Sequence, residues 1–273
     1  MPNPTQLKHL IALLEDESLR PSVMKELAAF GSSLEQEIKK QKIVVSAEET
    51  LLLRPLLDAE YREWLRKEWN SCLRIREDKV RLEHAHVLLA QFQCGRLYPA
   101  QLSATLDELA DEYESLYNSH DALDLAEFLF RRFSLTGVQQ EEYYNPLNSN
   151  LLYVIEQRKG IPISLACVYV LVGFRLGLSI EGCNVPGHFL AVASPQRQPV
   201  LVDCYNGGMV IDAEALKASG ASMTFDDILQ LQCNSYVIIA RVLRNLASAY
   251  ERANQKENAA AMIELLIQTE QHL

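Results

Sequence analysis

The sequence predicts an α+β protein, mostly helical, in three parts: a helical region over residues 1–135, a core over 136–232, and a helical pair over 233–273. Three observations carry this prediction. Leucines recur at helical spacing from Pro4 to about Phe133, as in Leu7, Leu10, Ile11 and Leu14 and again in Leu82, Leu89 and Phe92. A nearly all-apolar stretch from Ile163 to Gly177 reads as a helix buried on every side. Beyond Gly177 the apolar period shortens toward two, which is the signature of strands.

Composition sets the bounds. The chain has 273 residues, 48% of them apolar and 23% charged, enough for a sizeable core and for two domains or one large one with extensions. The net charge is -10, which disfavours neutralisation of a phosphate backbone and hence nucleic acid as a partner. MPNPTQLKHLIALL has no basic segment followed by an apolar run and cleavage site, and the longest apolar run is interrupted by Ser164 and Arg175. Cytoplasmic localisation without membrane insertion is the expectation. The six cysteines, at 72, 94, 167, 183, 204 and 233, form no C-x-x-C pair, so reduced thiols are expected rather than a zinc or disulfide framework.

The N-terminal elements follow from their boundaries. Ser18 with Pro21 marks a helix start, Gly31 a stop, and Ser32 or Ser33 a second start. SAEETLLLRPLLDAEYREWLRKEW predicts a longer helix that Pro55 kinks or divides. Trp64 and Trp69 are five apart and fall on different faces, one for the core and one to cover a neighbour.

Around Thr136 the texture changes to LTGVQQEEYYNPLNSN, a loop. A helix from about Leu147 to Gln157 follows, capped by Asn145 or Asn148, and RKGIP then breaks the chain. After the apolar helix come three strand candidates, SIEGCNV, GHFLAVA and PVLVDCY, the last two joined by SPQRQ. From Asp212 the chain returns to helix. In the final segment Ala247 fits the small eighth position of a tetratricopeptide repeat, with Leu243, Leu246, Tyr250, Ala259 and Ile263 in acceptable slots and Leu266 where a small residue is preferred. One repeat cannot bury its own face, so the pair must pack on the core or on a partner.

His188 and Asp203 are the first candidates for chemistry. If the hairpin loop centres on Gln196 and Arg197, His188 faces a residue near Tyr205 and Asp203 lies diagonally across, roughly 7 to 8 Å between backbones. An imidazole held by a carboxylate is the usual base for a nucleophile. The nucleophile itself should stand at a helix start, where free N–H groups lower a thiol pKa. That start reads Gly160, Ile161, Pro162, Ile163, Ser164 and has no cysteine. Ser164 is the available hydroxyl, with capping as its structural role, and Cys167 lies almost a turn deeper on a buried helix. His84 and His86 are two apart and do not share a helix face, so no metal site and no cofactor are expected.

These strings bear a resemblance. Asn148-Ser149, Arg158-Lys159-Gly160-Ile161-Pro162-Ile163-Ser164, Pro186-Gly187-His188-Phe189 and Asp203 with Asn206-Gly207-Gly208 occur in order, and the run resembles the transglutaminase-like domain of the bacterial SirB family, also fused in some F-box proteins. The resemblance implies a cysteine-protease-like core with a tetratricopeptide-like C-terminus, and places His188 and Asp203 at the transglutaminase His and Asp. In active relatives the nucleophilic Cys stands two residues after a glycine at the helix start. The matching residue here is Pro162, or Ser164 on another register, and neither is a thiol. The favoured expectation is a non-catalytic regulatory or protein-interaction module with an unidentified protein partner. The alternative is an amide-bond hydrolase or acyltransferase using Ser164, or Cys167, with His188 and Asp203.

Overall fold

A computed structural model of the chain describes residues 4–97, 101–118, 121–194, 199–218 and 223–273. The α+β, mostly helical architecture is present, with a small antiparallel sheet. The chain forms two compact units, residues 1–67 with 91–100, and residues 68–90 with 101–273.

The first unit is helical. It holds α1 (Leu7–Ala12), α2 (Arg20–Ala28), α3 (Leu34–Lys40), much of α4 (Ala47–Leu73) and the end of α5 (Asp78–Cys94). Pro21 sits in the first turn of α2, where its missing N–H costs nothing. Ser33 does not cap α3; its hydroxyl donates to the Phe30 carbonyl at 2.7 Å. The reciprocal cap is at α4, where Ser46 Oγ accepts from Glu49 N at 3.0 Å and Glu49 accepts from Ser46 N at 2.6 Å. The expected break at Pro55 does not occur, and α4 runs through it as one 27-residue helix. A proline inside a helix costs about 3 kcal/mol. Leu53, Leu57, Tyr61 and Leu65, one turn apart and all buried, outweigh that cost by packing one continuous face.

The second unit continues with α6 (Leu102–Leu116) and α7 (Ala122–Glu127), which runs into a π-helical turn at Phe128–Arg132. Next come β1 (Thr136–Gly137), α8 (Leu151–Gln157), β2 (Lys159–Gly160), α9 (Pro162–Arg175), β3 (Ile180–Cys183), β4 (Leu190–Ala193), β5 (Val200–Asp203) and β6 (Met209–Ile211). The chain then forms α10 (Ala213–Ala218), α11 (Phe225–Leu229), β7 (Gln232–Cys233), α12 (Ser235–Arg252) and α13 (Lys256–Glu270).

As its composition requires, α9 is central: every residue from Pro162 to Gly173 is buried. It ends at Arg175, and Gly177, just past the C-cap Leu176, has the φ of +68° that suits the left-handed residue after a helix, with Leu178 N bonding back to the Gly173 carbonyl at 2.8 Å. The sheet against it has the order β6-β5-β4-β3-β7, antiparallel throughout. Pairing of Ala191 with Val202 and Ala193 with Val200 is the register that a loop centred on 196 and 197 requires. The turn residues Pro195–Gln198 themselves lie outside the described residues. The short strands β1, β2, β6 and β7 were not predicted.

A second correction concerns α8. Its cap is Asn150, whose Oδ1 accepts from Leu152 N and Tyr153 N at 3.1 and 3.4 Å; Asn145 caps the 3-10 turn before it, and Asn148 caps nothing. At the C-terminus α12 and α13 form a helical hairpin. Leu243, Leu246, Ala247, Tyr250 and Ala259 are buried within it, but Ile263 faces outward at 40% exposure, and Met262 and Leu265 fill the α13 face instead. Trp69 is fully buried and donates from Nε1 to Thr269 Oγ1 at 3.1 Å, while Trp64 is half-buried in the other unit beneath the Arg96 guanidinium. Among the described residues no helix is long and apolar enough to cross a membrane.

Candidate functional site

The hairpin brings His188 and Asp203 together. Val185-Pro186-Gly187-His188 has the Pro-Gly signature of a type II turn, with Gly187 at φ +77° and His188 N bonded to the Val185 carbonyl at 3.1 Å. This turn sets His188 just before β4, with its ring edge-on to Tyr205 at 6.2 Å between centroids. Asp203 ends β5. His188 Nε2 and Asp203 Oδ2 are 3.0 Å apart, a close polar contact whose N–H direction is not aligned for a linear hydrogen bond.

Asp203 has other work. Its Oδ1 accepts from the backbone N–H groups of Tyr205 and Asn206, both at 3.2 Å, and Oδ2 accepts from Asn206 Nδ2 at 2.8 Å. Burial alone raises a carboxyl pKa, but His188 and Asn206 outweigh it and hold Asp203 below the usual carboxylate range. The turn closes through Gly208 N to the Asp203 carbonyl at 3.0 Å, with Gly207 and Gly208 at φ +69° and +70°. At Gly208 a Cβ would also stand 2.6 Å from the Phe130 ring.

The nucleophile candidates are placed differently. Ser164 lies in the first turn of α9 with 0% exposure, and its hydroxyl donates to the Asn148 carbonyl at 2.7 Å. It is not the N-cap, since Ile161 occupies that position. Asn148 in turn donates from Nδ2 to the carbonyls of Glu142 and Tyr143 at 2.7 and 3.2 Å, so it ties the 142–143 segment to α9. Pro162 opens α9, where its fixed φ is suited to the first helical position. Cys167 is 1% exposed, and burial pushes its thiol far above the ordinary range. Burial likewise pushes Cys183 up to about 11 and Cys233 up to about 12. Neither Ser164 nor Cys167 bonds to His188. Arg158 adopts a left-handed conformation at the end of α8 and lays its guanidinium on Phe133, and Gly160 belongs to β2.

A cavity of about 280 Å³ opens at the start of α9, walled by Tyr143, Tyr144, Ser149, Ile161, Asn245 and Ser248. Two of these come from α12. Nothing in the sequence around the His and Asp pointed to them, because the signal was a polar stripe on a helix some 40 residues further on.

Residues 98–244 match the family described as Transglutaminase-like superfamily, of the core-2 type. A UPF0162 protein of Xylella fastidiosa is 34% identical over 208 residues, which is 70% of this chain and 73% of that protein. The chain belongs to the transglutaminase-like superfamily, in the UPF0162 family. A UPF0162 protein of Pseudomonas aeruginosa is 29% identical over 61% of this chain and 65% of its own length. F-box only protein 21 of Mus musculus is 45% identical over 49 residues, 18% of this chain and 8% of that protein. No solved structure matches. In this UPF0162 chain, then, the transglutaminase-like core sets His188 on Asp203 at one point, and a sealed serine beside an open polar cavity at another.

Proposed function

We propose that this UPF0162 protein is a non-catalytic regulatory and protein-interaction module, a transglutaminase-like fold retained as a binding cleft. The observation that carries the reading is Ser164. It stands in the helix turn where the nucleophile of an active relative is expected, yet it is sealed and its proton is committed to the Asn148 carbonyl at 2.7 Å. A serine needs its base within hydrogen-bond reach, and Ser164 makes no bond to His188. Cys167 is buried with its thiol pushed up, which removes thiolate character. Asp203 chiefly braces the 203–208 turn. The tetratricopeptide-like pair α12 and α13 supplies one wall of the cleft through Asn245 and Ser248 and a further surface for a partner.

Peptide arrays probed with the full chain test this. Peptides that bind should bind equally to Ser164→Ala, and mass spectrometry should show them unchanged after prolonged incubation. Cleavage or acyl transfer that disappears in His188→Ala would establish the amide-bond chemistry instead.

A further inference from the structure

The cavity at the start of α9 has a chemical character that the module reading alone does not specify. Ser149 is 3% exposed and lines it, and its hydroxyl has no partner among the described residues. Ser149 Oγ is not sealed from solvent: it opens onto the cavity, a donor and acceptor free to bond what enters. The backbone N–H groups of Ile163 and Ser164 in the first turn of α9 have no intrahelical partner, and α9 is 14 residues long, so its positive end favours an anion.

The opposite wall is polar and is flanked by charge. On α12, Arg241, Asn245, Ser248 and Arg252 follow at intervals of four, three and four, a single face of the helix. Asn245 and Ser248 line the cavity and have no side-chain partner among the described residues. Arg252 stacks on the cavity residue Tyr144, 3.6 Å from its ring centre. Arg241 lies within electrostatic reach of Tyr143, bonds only to Asn184 and the Val185 carbonyl, and stacks on Phe189. In a chain of net charge -10, neither arginine has a carboxylate partner among the described residues, whereas Arg244 on the same helix is paired with Glu270.

Resting on the module reading, we propose that this cleft binds a short extended peptide segment through a carboxylate seated at Ser149 and the start of α9, with the rest of the segment lying along α12 between Arg241 and Arg252. The stripe from Arg241 to Arg252 spans about 16 Å at 1.5 Å per residue, which matches roughly five residues of extended peptide.

The test titrates the isotope-labelled full chain with three pentapeptides and with inorganic phosphate, following the amide resonances of Ser149, Ile163 and Ser164. The peptides are acetyl-Ser-Ala-Ser-Ala-Ala with a free C-terminus, its amide, and an amidated version with a central Glu. A carboxylate peptide should shift these resonances saturably and at least tenfold more tightly than the neutral amide. Preference for the free C-terminus or for the Glu peptide identifies which carboxylate is read. Arg252→Gln, at an exposed position, and Asn245→Asp should each weaken that binding at least tenfold with the remaining spectrum unchanged. Equal binding of the neutral amide, binding of phosphate alone, or indifference to both variants overturns the proposal while leaving a non-catalytic module intact. Turnover of a bound peptide would instead overturn the module reading and leave the carboxylate site standing.

Discussion

The hydroxyl of Ser164 donates to the carbonyl of Asn148 at 2.7 Å with no exposed surface, so the first turn of α9 is held to the loop before α8 by a bond that uses the serine's only proton. This bond is structural. Ser164→Ala leaves a buried carbonyl unsatisfied and should lower the unfolding free energy by about 1 to 3 kcal/mol, read from denaturant midpoints at constant slope. Ser164→Cys should remain unlabelled by iodoacetamide under native conditions and become labelled on unfolding. Rapid native labelling would show that the position opens to solvent.

The two members of the His–Asp pair should differ in what their loss costs. Asp203→Ala strands the N–H groups of Tyr205 and Asn206 and the Asn206 amide, whereas His188→Ala removes a half-buried ring with one close polar contact. The expected losses are about 2 to 3 kcal/mol for Asp203 and about 1 kcal/mol or less for His188, on the usual scale for charged hydrogen bonds. Because the Asp203 carboxyl is held below its ordinary range, its contribution is present above about pH 4 and is lost as pH falls through the lower folded value. Equal costs for the two variants would mean that the imidazole contact, not the turn, dominates.

Much of this site was legible because strands obey a period of two. Once the loop is centred on 196 and 197, alternation alone pairs Ala193 with Val200 and carries His188 opposite Tyr205. The all-round apolar character of 163–177 likewise could only mean a central helix. Other features had no local signal. Asn145, Asn148 and Asn150 have the same capping propensity, and only the surrounding carbonyls decide that Asn148 becomes a strut and Asn150 the cap. β6 and β7 are three and two residues long, too short to show a period, and are held by pairing with β5 and β3. The compact units divide within α4 and α5, where continuous helical periodicity gives no boundary.

Gly208 should tolerate no side chain. Its φ of +70° disfavours any Cβ, and that Cβ would stand 2.6 Å from Phe130. Gly208→Ala is expected to cost about 1 to 3 kcal/mol. In the background of Phe130→Ala the added cost should shrink, leaving only the backbone part, and a double-mutant cycle measures the difference. Full additivity would mean that Phe130 moves aside freely and that φ alone sets the cost.

Acid sensitivity should trace to His86. It is 1% exposed on α5, and neither ring nitrogen has a partner among the described residues. Burial pushes its pKa from 6.5 down to about 4, opposed only by Glu83. The folded state therefore holds this ring neutral while the unfolded chain protonates it. Its stability is complete above about pH 6.5 and falls as pH drops from there toward 4, by up to roughly 3 kcal/mol for a shift of this size. Between those values the unfolded state binds the extra proton, so the slope of unfolding free energy against pH is positive. His86→Leu, close in volume and free of nitrogens to satisfy, should flatten that slope between pH 4.5 and 6.5 and match or exceed the parent's stability at pH 5. A slope unchanged by the substitution would place the acid sensitivity on another group.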